Sequence, residues 1–317
     1  MPGPPLVTGA TGFAGSHLVE HLLQFHPAVA AWEGPGGTPI AVDDPRVVWQ
    51  AVDVLDREAV AAALAELRPS AVYHCAGSAH AGDSWSEPVR PLRINVLGTH
   101  HVLEGVARAG LACPVLVTGS ALVYRRSNSM MTETHPIGPA TPYGVSKLAQ
   151  EMLAGHDEVT RVFVARPFNH AGPRQSPTFA TSGFARQIAE IEAGRRDPVL
   201  QVGNLDARRD ITDVRDTVRA YRLIVTRGTA RRPYNVCSGK AYRVGDLLDA
   251  LVALSPRAIA VEVDSSRFRP SDNPLLLGDG SRIAAETGWS PEIPIERTLQ
   301  DLLDYWRREV SRAAPGA

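Results

Sequence analysis

The chain has 317 residues, a formal net charge of −1 and three cysteines. This length allows one large domain or two modest ones around a substantial core. The balanced charge argues against nucleic acid and membrane-surface partners, and no apolar run reaches membrane-spanning length. The scattered cysteines, Cys75, Cys113 and Cys237, predict buried thiols, no disulfide framework and no metal site. The first residues lack a charged leader pattern, so we expect a cytoplasmic protein.

The first stretch with a chemical implication joins a short apolar strand to a helix. Residues 6–8 predict the strand, and glycines at 9, 12 and 15 follow it directly. Glycines let a backbone approach a pyrophosphate closely, and a helix N-terminus supplies N–H groups and the positive end of its dipole. The predicted phosphate-binding turn consists of Gly9, Thr11, Gly12, Phe13, Ala14 and Gly15.

A second buried strand, predicted over residues 28–33, ends in an acid. Glu33 lies eighteen positions after Gly15, close to where a carboxylate accepts hydrogen bonds from the adenosine ribose. A carboxylate there repels a 2′-phosphate, and no arginine follows over residues 34–39. The sequence therefore favours NAD(H) over NADP(H), although a solvated acid at a strand end would give the same pattern.

Further strands are predicted over residues 47–52, 71–75, 114–118 and 161–166, with helices between them. This alternation predicts an α/β fold with a Rossmann-like doubly wound parallel sheet. Ligands of such sheets bind beyond the carboxyl ends of the strands. The candidate cofactor contacts at these strand ends are Asp53, Val54, Cys75, Ala76, Gly77, Thr118 and Arg166.

Tyr143 and Lys147 lie four residues apart on a predicted helix and therefore share one face. An ammonium near a phenol lowers the tyrosine pKa, so Tyr143 can exchange a proton with a carbonyl oxygen or an alcohol. This spacing is common on ordinary helices. It indicates a catalytic pair here because the chain also has the glycine turn and Ser120 at the end of the fifth strand. We take Ser120, Tyr143 and Lys147 as the candidate catalytic residues.

The composition changes after residue 166, where proline and glycine become frequent up to about residue 206. Helices are predicted near residues 213–227, 243–254 and 295–311, separated by short strands. We expect residues 1–166, with a returning segment at about 207–238, to form an NAD(P)-binding domain. Residues 167–206 and 239–317 then form a smaller C-terminal α/β domain for the substrate.

Together these motifs resemble the extended short-chain dehydrogenase/reductase family of nucleotide-sugar epimerases, dehydratases and reductases. The resemblance covers essentially the whole chain. Residues 166–170, 203–210, 269–272 and 275–278 are similar to the GDP-mannose 4,6-dehydratase branch. Within that branch, residues 210–216 and 234–239 look closer to the GDP-4-keto-6-deoxy-mannose reductases.

The resemblance implies a GDP-sugar substrate and a role for each matching residue. Ser120 would bond the reacting sugar oxygen, Tyr143 would be the acid/base, and Lys147 would bind the nicotinamide ribose. The further substrate contacts implied are Ser78, Asn169 near the sugar–phosphate region, Arg186, Arg209 and Arg269 at the phosphates, and Asp272 at the nucleotide ribose. A homodimer formed through helices near residues 88–109 and 142–155 is also implied.

One departure from the family pattern separates the possible reactions. Dehydratases of the family carry an acid directly after the catalytic hydroxyl, because eliminating water across C5–C6 needs a base and an acid. Tyr124 matches the family's Val-Tyr-Gly tyrosine and places that hydroxyl at Ser120, with Ala121 and Leu122 following. Arg125 replaces the family's glycine, which leaves the local loop geometry open.

We therefore predict reduction of the 4-keto group of a GDP-4-keto-6-deoxy-hexose, for which Ser120, Tyr143 and a nicotinamide suffice. A nucleotide-sugar 4-epimerase with tightly bound NAD is the alternative, since it uses the same three side chains. A GDP-mannose 4,6-dehydratase and a non-catalytic NAD-sensing protein are less favoured. A sensor has no need of the complete catalytic set.

Overall fold

The computed structural model describes residues 3–35, 42–78, 83–156, 160–264 and 273–312. The strands are β1 (Leu6–Thr8), β2 (Val29–Glu33), β3 (Val47–Ala51), β4 (Val72–His74), β5 (Pro114–Thr118), β6 (Arg161–Pro167), β7 (Asn169–Ala171), β8 (Val199–Val202), β9 (Arg208–Asp213), β10 (Pro233–Val236), β11 (Ala241–Arg243), β12 (Ala260–Val263) and β13 (Leu275–Leu276). The helices are α1 (Phe13–Leu22), α2 (Arg57–Leu67), α3 (Val89–Leu92), α4 (Gly98–Arg108), α5 (Pro142–His156), α6 (Ala180–Glu192), α7 (Val214–Arg227), α8 (Val244–Ala253), α9 (Ser281–Thr287) and α10 (Ile295–Arg312).

Seven parallel strands form the central sheet, in the order β3-β2-β1-β4-β5-β6-β10. One face is covered by α1 and α7, whose Leu18 and Tyr221 are buried in one apolar cluster. The other face is covered by α2 and α4, which bury Leu64 and Val102. Helices on both faces of a parallel sheet confirm the predicted doubly wound α/β fold.

The predicted long helix near residues 88–109 is interrupted by a π-helical turn, Arg93–Leu97, between α3 and α4. Asn95 is fully buried in this turn and bonds groups outside its own helix. Such wide turns in α-helices are often found at functional sites. The interruption therefore directs attention to the surroundings of Asn95.

The later part of the chain builds a second core. The strands β7, β9, β11 and β13 form one small sheet, and β8 pairs with β12. Helices α6, α8 and α10 bury Ile188, Leu251 and Leu302 together, whereas β10 returns to pair with β6 in the central sheet. The division into two domains stays a prediction. Within the described residues, no helix is both long and apolar enough to cross a membrane.

Candidate active site

The glycine turn after β1 packs tightly against the end of β4. Gly9 has φ +64°, and a Cβ on it would lie 2.7 Å from the Ala76 Cα. A Cβ on Gly15 would lie 2.1 Å from the Gly9 carbonyl oxygen, so side chains at either position would push the turn apart. Among the described residues, none caps the N-terminus of α1 through its side chain, and its first turn holds no acid. This turn fits the pyrophosphate of a dinucleotide.

The other predicted cofactor contacts lie along the same edge of the sheet. Glu33 ends β2, and Asp53, just beyond β3, accepts a hydrogen bond of 2.9 Å from the Leu55 N–H. The carbonyl of Val54 accepts a bond of 2.9 Å from the His101 ring. Cys75, Ala76 and Gly77 follow β4, and Thr118 ends β5. Together with the glycine turn after β1, the carboxyl edge therefore carries candidate contacts at the ends of five neighbouring strands, β1 to β5.

Ser120, Tyr143 and Lys147 are brought together above β5. Tyr143 and Lys147 lie on α5, with the Lys147 Nζ 5.9 Å from the centroid of the Tyr143 ring. Ser120 follows β5, and its side chain is close enough to Tyr143 to lower the pKa of the phenol. The Ser120 Oγ also accepts a bond of 3.1 Å from the Leu122 N–H, which fixes the start of the next turn. These three side chains can hold a carbonyl oxygen and exchange a proton with it.

The electrostatics of this trio differ from the sequence-based expectation. Burial raises the pKa of Tyr143 to about 12, and the neighbouring Ser120 side chain acts in the opposite direction. Burial lowers the pKa of Lys147 to about 8. The ammonium lies beside the tyrosine ring and donates to the Thr118 carbonyl at 2.8 Å. The net shift of the Tyr143 pKa is upward because of burial, opposite to the expected lowering. Tyr143 is therefore a proton donor at neutral pH.

Asn95 is a site residue that the sequence analysis missed. Its Oδ1 accepts a bond of 2.9 Å from the Ser78 N–H, and its Nδ2 donates to the Ser146 hydroxyl at 2.8 Å. Ser146 in turn donates to the Tyr143 carbonyl at 2.7 Å. Asn95 thus ties the loop after β4 to the catalytic helix. An asparagine inside the apolar run 94–97 was the available signal.

The residues after Ser120 are apolar and packed. Ala121 is buried in an apolar cluster with Tyr124, Phe168 and Leu276, and Leu122 packs against the same cluster. Leu276 belongs to β13, which pairs with β9. This cluster therefore fixes the Ser120 loop relative to the strand that carries Arg209.

Arg166 lies beneath the site in a buried network. Its guanidinium forms an ion pair with Glu151 and donates 2.9 Å from Nη1 to the Tyr124 hydroxyl. The Tyr124 hydroxyl in turn donates a hydrogen bond of 2.7 Å to the Asn235 Oδ1. All three guanidinium nitrogens have protein partners, so Arg166 joins β6 to α5 and to Tyr124. Its predicted contact with the cofactor stays a prediction.

Apart from Ser78 and Ser120, the predicted substrate residues are spread over the second part of the chain. Asn169 is exposed on β7, which pairs with β9, and Arg209 on β9 donates to the Asn273 carbonyl at 2.6 Å. Arg186 on α6 is half-exposed, forms an ion pair of 2.7 Å with Glu190 and stacks over Trp306. Arg269 and Asp272 lie outside the described residues.

The chain matches the family described as GDP-mannose 4,6 dehydratase over residues 6–302. It is 34% identical over 310 residues to the GDP-6-deoxy-D-mannose reductase of Pseudomonas aeruginosa, which covers 96% of this chain and 97% of that protein. The solved structure of RMD from Pseudomonas aeruginosa complexed with NADPH has a TM-score of 0.84 at 32% identity, over 97% of this chain and 100% of its own. The Thermus thermophilus UDP-glucose 4-epimerase in complex with NAD has the same TM-score at 27% identity, over 96% and 99% of the two chains.

A Rossmann-like sheet with a phosphate-binding glycine turn and a serine–tyrosine pair beside a lysine is the architecture of NAD(P)-dependent oxidoreductases of the extended short-chain dehydrogenase/reductase class. This chain is an enzyme of that class, and its relatives act on nucleotide sugars. Within the class, it belongs to the GDP-mannose 4,6-dehydratase family, since the match spans almost the entire sequence. The predicted family branch is thereby confirmed.

Proposed function

We propose that this enzyme reduces the 4-keto group of a GDP-4-keto-6-deoxy-hexose with NAD(P)H, converting GDP-4-keto-6-deoxy-D-mannose to a product of the GDP-D-rhamnose type. The observation that carries the proposal is the combination of an assembled Ser120, Tyr143 and Lys147 with packed apolar residues at 121 and 122. The similarity to a GDP-6-deoxy-D-mannose reductase of Pseudomonas aeruginosa supports it.

In this reaction the protein supplies a proton and holds the developing charge. A bound reduced nicotinamide supplies the hydride for C4. Tyr143 gives its proton to the C4 oxygen, which its raised pKa permits over the whole neutral range. Ser120 donates a hydrogen bond to the same oxygen as negative charge develops there. Lys147 holds a positive charge beside the Tyr143 ring, which favours the tyrosinate left after proton transfer.

The decisive experiment mixes the purified enzyme with GDP-4-keto-6-deoxy-D-mannose and either NADH or NADPH, and follows loss of the reduced cofactor's absorbance. The proposal predicts stoichiometric oxidation of cofactor and formation of a GDP-6-deoxy sugar. The epimerase alternative is tested with a nucleotide sugar that carries a C4 hydroxyl: interconversion of its C4 epimers without net oxidation or reduction of added cofactor would identify the epimerase instead, because an epimerase regenerates its NAD in each cycle.

A dehydratase activity is tested separately with GDP-mannose and NAD(P)⁺. Ala121 and Leu122 can neither take the C5 proton nor protonate the C6 hydroxyl, so we expect no 4-keto product. Efficient dehydration would show that other residues supply this acid and base. A protein that binds cofactor but turns over neither GDP-sugar would instead fit the NAD-sensing alternative.

For the cofactor, we propose a preference for NAD(H) over NADP(H), on the basis of Glu33. This carboxylate ends β2 beside the glycine turn, where the Ala10 N–H donates to the Trp32 carbonyl at 3.0 Å. Dissociation constants for NADH and NADPH test the preference, and Glu33→Gln should narrow the difference by removing the charge that repels a 2′-phosphate. Tighter binding of NADPH by the unmodified enzyme would contradict the proposal, and the NADPH complex of the Pseudomonas aeruginosa relative makes this comparison necessary.

We further propose that the enzyme is a homodimer in which the helical segment near residues 88–109, with α3, the π turn and α4, packs together with α5 against the same helices of a second copy. Apolar side chains on these neighbouring helices and the π turn are unusually exposed: Val89 is 62% exposed, Leu97 45%, Val145 46% and Met152 57%. A set of this kind on adjacent helices is typical of a surface that another protein covers. A four-helix bundle would bury it on both subunits.

A further inference from the structure

Lys147 is held by a series of buried side chains that the reaction scheme does not use. Its Nζ donates to the Gln150 Oε1 at 3.0 Å, and the Gln150 Nε2 donates to the Thr99 hydroxyl at 2.8 Å. The same hydroxyl contacts the His74 Nε2 at 3.0 Å, and the His74 Nδ1 contacts the Thr8 hydroxyl at 2.8 Å. Gln150, Thr99, His74 and Thr8 are all fully buried.

Counting hydrogens fixes the direction of every bond in this series. The Thr99 hydroxyl gives its one hydrogen to the Asn95 carbonyl at 2.6 Å, so it accepts from both Gln150 and His74. His74 therefore carries its hydrogen on Nε2, and its Nδ1 accepts from Thr8. Because Thr99 accepts from the Gln150 amide nitrogen, the amide oxygen must face Lys147.

Among the described residues, the groups that face Lys147 are otherwise uncharged. From β4, burial and the Lys147 charge lower the pKa of His74 to about 3, and burial raises the pKa of the Cys75 thiol to about 12. From α5, Tyr143 is protonated at neutral pH, and β5 contributes only the Thr118 carbonyl. Within the described part of the chain, neutral dipoles therefore hold the ammonium. Gln150 is the side chain among them whose hydrogen bond to Nζ is itself fixed by a second hydrogen bond, to Thr99.

We propose that Gln150, oriented by Thr99 and His74, is the positioning residue for Lys147, and that this neutral relay connects the catalytic lysine to the strand that carries the glycine turn. The relay begins at Thr8, which lies directly before Gly9. The Thr8 hydroxyl also accepts a hydrogen bond of 3.2 Å from the Ala76 N–H. The positioning itself is independent of the substrate. Its effect on catalysis rests on the reductase function proposed above.

The amino-acid sequence allows a direct measurement of the Lys147 environment. The chain contains two lysines, Lys147 and the exposed Lys240. Enzyme labelled with ¹³C at the lysine ε-carbon therefore gives two NMR signals, which Lys240→Arg assigns, and their titration reports each pKa without substrate. Gln150→Glu places a carboxylate against Nζ and should raise the Lys147 pKa by about one unit or more. Gln150→Met keeps the volume, removes the acceptor and should lower the Lys147 pKa.

Controls separate positioning from a merely structural role. Gln24→Glu adds the same charge at an exposed site and should leave the Lys147 titration unchanged. Thr99→Val should change the Lys147 pKa because the Gln150 amide loses its acceptor. Thr99→Ser keeps the hydroxyl and should leave the Lys147 pKa at its wild-type value. Opposite shifts for Gln150→Glu and Gln150→Met support the relay. An unchanged Lys147 pKa in folded Gln150→Glu or folded Gln150→Met overturns the relay. If Gln150→Glu does not fold, the Lys147 pKa of Gln150→Met decides alone.

Kinetics then test the catalytic consequence. The alkaline limb of the pH profile for keto reduction should move upward in Gln150→Glu, with kcat changing more than the KM for the GDP-sugar. Shifted NMR titrations in an enzyme that reduces no GDP-4-keto sugar would overturn the reductase function and leave the relay standing. A reducing enzyme whose Lys147 titration ignores Gln150 would overturn the relay and leave the function standing.

Discussion

At the scale of single residues, the chemistry depends on which of two buried groups loses its proton first. Burial disfavours the charged form of each group, so it raises the pKa of Tyr143 and lowers that of Lys147. At neutral pH the pair is therefore a neutral phenol beside an ammonium, which suits delivery of a proton to a carbonyl oxygen. The reverse process, oxidation of an alcohol, would need the phenolate.

Replacing Tyr143 by phenylalanine removes the proton donor and little volume. We expect the rate of keto reduction to fall by a factor of roughly 10² to 10⁴. GDP binding should persist, because the phosphates are assigned to other residues, among them Arg209. Steady-state kinetics and calorimetric GDP titration measure the two effects, and a variant that keeps its full reduction rate would remove Tyr143 from the mechanism.

The pH dependence of reduction should follow Lys147. Its pKa of about 8 in the folded enzyme means that the ammonium is present below pH 8 and is lost as the pH rises through this value. The rate of reduction should therefore be flat near neutral pH and decline above about pH 8, while Tyr143 stays protonated. Lys147→Arg keeps a charge at all these pH values, so its lower activity should lack this decline. A decline that persists in Lys147→Arg would assign it to another group.

At the scale of elements, the glycine turn is the most constrained segment of the site. Gly15→Ala would place a Cβ 2.1 Å from the Gly9 carbonyl oxygen, so the turn would have to open. We expect a loss of about 1–3 kcal/mol in the free energy of unfolding and weaker cofactor binding. Denaturant unfolding and NADH titration check this.

Gly155→Ala in α5 is the matched control, because nothing lies within 4 Å of its Cβ position. Removing a glycine from a helix should stabilise the protein by about 0.5–1 kcal/mol and leave cofactor binding unchanged. Equal effects of the two substitutions would show that the turn is not tightly packed.

The elements with simple periodicity were predictable, and those held by tertiary contacts were not. The strands over residues 6–8 and 114–118 and the terminal helix follow from apolar pattern alone. The π turn at residues 93–97 does not, because the partners of Asn95 come from a distant loop and from α5. The Tyr143 and Lys147 pair was visible from its spacing, whereas the direction of the Tyr143 pKa shift depends on burial, which local sequence does not reveal.

At the scale of the whole molecule, the exposed apolar helices predict an assembly larger than the 34.1 kDa chain. Met152→Glu would place a charge in the centre of the proposed four-helix bundle and should shift the protein from dimer to monomer in sedimentation experiments. Val261→Glu is the control, since Val261 is 41% exposed on β12, away from these helices. A wild-type protein that sediments only as a monomer at micromolar concentration would contradict the proposed dimer.

The two parts of the molecule meet beside the candidate catalytic residues. The central sheet presents the cofactor turn and Tyr143, and the small sheet built on β9 presents Arg209. The apolar cluster that includes Ala121, Phe168 and Leu276 joins the two parts beside Ser120. The arrangement places the candidate nucleotide-binding strand in fixed relation to the proton donor, with no acid at residues 121 and 122.

The measurement that tests reduction at C4 most directly follows the hydrogen itself. The enzyme is given GDP-4-keto-6-deoxy-D-mannose and reduced cofactor deuterated at the transferable nicotinamide position, and the product is examined by mass spectrometry and NMR. We expect one deuterium per product molecule, located at C4 of a GDP-6-deoxy sugar. Unlabelled product, or deuterium at another carbon, would contradict it.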